Sequence, residues 1–178
     1  PDLIGGDADR RSLVYRTIAV ATDPHASAID WRALPAEAAF ARAVALAGAR
    51  TNRGEALGLL DLVADRPDAG ALAPAALWES AALLQLENSD DSARAAADRL
   101  ARLAREFPRA PRAGEAVAAA IQHARTPSGD LPADFDTALL ARAIRLHPDR
   151  PEIDVWRLDL ARRTEGLERL AALDPVAP

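Results

Sequence analysis

Cysteine, methionine and lysine are absent, and aromatic side chains are few: three Trp, three Phe and one Tyr in 178 residues. Without cysteine there is neither a disulfide framework nor a thiolate metal site, and the redox compartment stays open. Without methionine, Pro1 is not expected to be a translation start. The sequence therefore reads as a piece of a longer chain or a processed product, with any signal peptide lying outside it. No stretch approaches the roughly 18 consecutive apolar residues of a membrane-spanning helix. Because lysine is missing, all 22 basic residues are arginine. Genomic base-composition bias explains this, together with 44 alanines, better than a selected need for guanidinium chemistry. The 27 acidic residues leave a net charge of −5, so the basic excess of a phosphate-binding surface is missing and no nucleic-acid partner is expected.

What is present is alanine, the strongest helix former, whose small side chain lets helices approach closely. The stretch from Ala75 to Pro108 carries the clearest pattern. In its second half Ala93, Ala96, Ala97, Leu100, Leu103, Ala104 and Phe107 recur at steps of three and four, with Arg94, Asp98, Arg102 and Arg105 on the other side. That is one buried and one wet helix face, a period no strand satisfies. Asn88 to Ser92 supply a turn and candidate N-caps, and Pro108 stops the helix. The first half, opening near Pro74, spreads Leu77, Trp78, Ala81, Ala82, Leu84 and Leu86 over a wide apolar arc, so it needs cover on more than one side. The stretch reads as two helices joined by a polar turn.

Prolines that end helices recur at 24, 67, 108, 148 and 175, with separations of 43, 41, 40 and 27 residues. The first three suit a repeated helical hairpin, the last a short cap. The expectation is an all-α chain of about eight or nine helices: one repeat domain over 1–178, with antiparallel hairpins at about 7–50, 53–88, 92–125 and 132–164 and a cap at 166–178. Single helices are expected from Asp7 or Asp9 to Ala21, where a strand fits nearly as well, and at 35–50, 53–65, 111–125, 132–147, 151–164 and 166–173. The segment 126–134, TPSGDLPAD, is the most loop-like interior stretch and the expected flexible joint.

At Trp78, Ala82, Ala96, Leu100 and Pro108, and again at Leu140, Ala143, Ile144 and Pro148, the chain resembles tetratricopeptide-type repeats. The period is near 40 rather than the family's ~34, Leu100 stands where the family favours an aromatic, and its tyrosines are missing. The resemblance covers about half the chain. It implies an α-solenoid: a right-handed stack of about four hairpins whose concave face holds a peptide or another protein.

Chemistry-bearing patterns are sparse. His25, His123 and His147 are far apart and none belongs to an HExxH pattern; His147 suits the negative end of a helix. Asp7 and Asp9 begin like a calcium loop that Arg11 and Ser12 interrupt. Asp134 and Asp136 read as first-turn acids, and Gly54 and Gly58 as a close-packing spot. No nucleophile elbow or phosphate-binding loop is present, so no catalytic residue, cofactor or metal is expected.

Two features bear on binding. Six arginines at 94, 99, 102, 105, 109 and 112 face only Asp98 and Glu106. Such a stripe is ordinarily a solvated face, with Asp98 and Arg102 paired. Its functional alternative is a patch of Arg99, Arg102, Arg105, Arg109 and Arg112 that binds an acidic peptide or partner. Trp31, Trp78 and Trp156 each fall early in an expected first helix, suited to packing; Trp31 or Trp156, with Arg32 or Arg157 beside it, could instead anchor an interface. The expected function is a non-enzymatic protein- or peptide-binding module, a scaffold or adaptor in a bacterial chain; the sequence leaves its compartment open, with exported or periplasmic slightly favoured over cytoplasmic. The alternative is a helical accessory domain of a larger cell-envelope enzyme whose catalytic part lies elsewhere; an architectural spacer is a third reading.

Overall fold

The computed structural model describes residues 29–126, 128–132 and 134–164. The expected helices at 7–21 and 166–173, with His25, Asp7 and Asp9, lie outside the described residues. Within them the chain forms seven α-helices and no strand: α1 (Ala36–Ala47), α2 (Arg53–Ala64), α3 (Leu72–Gln85), α4 (Asp90–Glu106), α5 (Ala113–Ala124), α6 (Thr137–Leu146) and α7 (Ile153–Arg163). A 3-10 turn, Arg50–Asn52, leads into α2. They fall into two compact units divided between Leu86 and Glu87.

In the first unit α1 packs on α2 and α2 on α3. Alanine allows the close approach: Ala39, Ala43, Ala56 and Ala76 are fully buried, and Leu60, Val63 and Leu77 fill the space between them. Trp31 is buried ahead of α1. Arg42 of α1, itself buried, reaches Glu55 of α2 at 3.4 Å. Gly54 and Gly58 do not make a close-packing spot, because both are exposed and a Cβ added to either would meet nothing within 4 Å.

In the second unit α4 packs on α5, α5 on α6 and α6 on α7. Helix α4 opens with a capping box: the Ser89 hydroxyl accepts from Ser92 N–H and the Ser92 hydroxyl from Ser89 N–H, both at 3.1 Å. Leu100, Leu103, Val117, Ile121 and Leu140 are almost wholly buried. The two helices of the 75–108 stretch are present, but α3 belongs to the first unit and α4 to the second, each with partners in its own unit.

The prolines at 67, 108 and 148 mark one backbone turn used three times. Carbonyls of Arg66, Phe107 and His147 accept from the N–H groups of Ala69, Ala110 and Arg150 at 3.2, 3.0 and 3.3 Å. Carbonyls of those three residues accept in turn from Leu72, Ala113 and Ile153 at 2.9, 3.0 and 3.0 Å. Each turn delivers the chain into the next helix, α3, α5 or α7.

Arginines hold these elements through main-chain carbonyls 31 to 38 residues away. Arg66 donates to Leu34 O. Arg142 donates to Ala104 O at 2.6 Å and Pro108 O at 3.3 Å. Arg163 donates to Leu131 O at 3.0 Å and Pro132 O at 2.9 Å. Carbonyls at helix ends and turns lack intrahelical partners, and a guanidinium can satisfy two at once.

Helix α6 starts at Thr137, later than expected, because Asp136 is its N-cap and accepts from Ala138 N–H at 2.9 Å. The segment before it, expected as a loose joint, is closed on itself. Thr126 N–H donates to Asp130 O and Gly129 N–H to Thr126 O, both at 2.8 Å. Gly129 permits the turn with a φ of 89°, and Arg125 donates to its carbonyl at 2.6 Å.

Candidate functional site

On α4, Arg94, Asp98, Ala101 and Arg105 follow one another at steps of three and four, with Ala97 beside Asp98, so they share one face. Ala124 at the end of α5, Pro132, Asp134 to Asp136, and Leu139 of α6 stand opposite them. Between lies an open cleft of about 420 Å³, within the range of ligand-binding pockets. Its lining mixes small apolar side chains, Ala97, Ala101 and Ala124, and Leu139 with charged ones, and Phe135 is half-buried.

The rim is charged. Arg105 reaches Asp136 at 3.3 Å, while the other oxygen of Asp136 caps α6. Arg94, Asp98 and Asp134 are exposed and make no hydrogen bond or ion pair among the described residues.

The expected arginine patch is divided. Arg105 lines the cleft. Arg99 is half-buried and donates to Ala95 O at 3.3 Å, and Arg102 pairs with Glu106 at 2.9 Å rather than with Asp98. Arg109 and Arg112 are exposed in the turn between α4 and α5. Arg94, left out of the expected patch, is the second arginine of the cleft. Steps of three, as in 99, 102 and 105, drift around a helix, whereas 94, 98, 101 and 105 keep to one side.

Trp31 and Trp156 are 9% and 3% exposed, which suits the packing role. The Trp156 ring meets His147 edge to face, with centroids 6.5 Å apart. His147 Nε2 lies 2.9 Å from Gly114 O. No cluster of three or more His, Asp or Glu able to hold a metal ion occurs among the described residues. No helix among them is long and apolar enough to cross a membrane.

Burial holds the His123 imidazole below its usual pKa. The unfolded chain then binds the proton more readily, so the second unit should lose stability as pH falls below about 6.5. Unfolding midpoints at neutral and mildly acidic pH measure this, and His123→Gln should flatten the dependence. An unchanged slope would assign it to other groups.

No family model matches this sequence, and no curated protein and no solved structure matches it either.

Proposed function

We propose that the chain is a non-catalytic binding module of the helical-hairpin, tetratricopeptide-like kind, and that the cleft beside α4 receives a segment of a partner protein or peptide. The observation that carries this reading is the cleft itself: open to solvent, lined by three alanines and Leu139 together with Arg94, Asp98 and Asp134, which have no hydrogen-bond or ion-pair partner among the described residues. Small side chains leave room that a partner's side chain can fill, and unpaired rim charges fix its orientation. The turn repeated at Pro67, Pro108 and Pro148 supports the repeat reading. The division of the arginines between internal bonds and the cleft moves the proposed site away from the wider patch.

Selection from a random peptide library displayed on phage tests the proposal. Peptides retained by the wild type should be lost with Ala101→Phe, which fills the cleft, and kept with Arg102→Ala, which lies outside it. Peptides that bind both variants equally would remove the cleft from the function.

A further inference from the structure

We infer that the segment held in this cleft carries a cationic side chain, arginine or lysine, next to an aliphatic one; the inference rests on the cleft being the binding site. Arg94, Asp98 and Arg105 line its α4 side, and Asp134 and Asp136 stand on the opposite side. Arg105 and Asp136 neutralise each other at 3.3 Å. Among the described residues this leaves one cation of the lining without a partner, Arg94, and two such carboxylates, Asp98 and Asp134.

Phe135 follows Asp134 directly and its ring is half-buried in the cleft lining. An aromatic face beside a carboxylate favours a guanidinium or ammonium, because the ring quadrupole and the anion attract the same charge. Asp98 adds a second anion from the α4 side. Arg94, one turn earlier on α4, is left to donate to a carbonyl or carboxylate of the partner backbone. The lining residues Ala97, Ala101, Ala124 and Leu139 carry no polar side-chain group, so the part of the segment set against them is aliphatic. An acidic segment, the expectation from the arginine count alone, would meet the two free carboxylates.

The test uses three probes on isotope-labelled protein followed by NMR: blocked Gly-Leu-Arg-Leu-Gly and the same peptide with glutamine or glutamate in place of arginine. The arginine probe should shift α4 and 134–139 resonances and bind about tenfold more tightly than the glutamine probe, a difference that salt reduces. The glutamate probe should be the weakest. Asp98→Asn with Asp134→Asn should erase the preference without changing helical content. A glutamate probe that binds as tightly as the arginine probe, or a preference that survives the double substitution, would overturn the inference and leave the cleft standing. If all three probes leave those resonances unmoved, the cleft reading itself fails.

Discussion

Leu100→Asp should unfold the unit that contains α4 to α7. Leu100 is 1% exposed, on the face of α4 that also buries Ala96, Ala97, Leu103 and Ala104. Removing the leucine alone would cost about 2–5 kcal/mol in lost transfer energy and cavity. The carboxylate placed there has no cation to pair with and must either be neutralised or pull the helix toward water. The sum is comparable to the whole stability of a small domain, about 5–15 kcal/mol. Circular dichroism and urea titration should show loss of helix and of a cooperative transition. Arg102→Ala, on the exposed side, forfeits its pair with Glu106 and should cost under about 1 kcal/mol. Equal, small losses in the two variants would mean that the face assigned to the core is wrong.

Leu100 illustrates what the sequence makes legible. The alternation of apolar and charged residues from Ala93 to Phe107 admits one helical phase, and that phase is the observed one. Proline marks ends with equal clarity because its missing N–H acts locally; Pro67, Pro108 and Pro148 all sit in the same turn. The start of α6 was harder to read. Pro132 competes with Asp136 as an opening, and Asp136 prevails where a carboxylate accepts from Ala138 N–H while Arg163 ties down the Pro132 carbonyl from 31 residues away. The grouping of α3 with α2 and of α4 with α5 is likewise tertiary. A polar turn between two apolar helices is compatible with either choice.

The cleft was only partly legible, and for a related reason. Its α4 side can be read from the spacing of Arg94, Asp98, Ala101 and Arg105, a signal masked by counting the six arginines together. Its other side comes from residues 132–139, brought opposite α4 by the closed loop at 126–130 and by the Arg105–Asp136 pair. Charge totals could not show that Arg102 and Arg105 would be partnered and that Arg94 would not. An arginine's partner is decided by which carbonyl or carboxylate lies within reach, and those of Arg66, Arg105, Arg142 and Arg163 include groups more than 30 residues away.

Arg125→Met should destabilise the second unit by about 3 kcal/mol, near the lower end for removing one partner of a buried ion pair. Arg125 follows α5 and donates to Asp159 of α7 at 2.7 Å; the Asp159 side chain is 9% exposed and that of Arg125 21%. Methionine keeps much of the arginine stem's volume but leaves the Asp159 carboxylate desolvated without its cation. The same change removes the bond to Gly129 O, a smaller loss because that carbonyl is exposed. Asp159→Leu alone should cost less, since the guanidinium it strands is the more exposed partner and can turn toward water. Combining the two replaces both charges with apolar groups and should recover about 2 kcal/mol of the summed losses. Urea midpoints for the four proteins give this coupling directly. A strictly additive cycle would show that the pair joining α5 to α7 contributes nothing beyond its separate side chains, and that apolar packing and the bonds from Arg163 to the Leu131 and Pro132 carbonyls hold α7 in the unit.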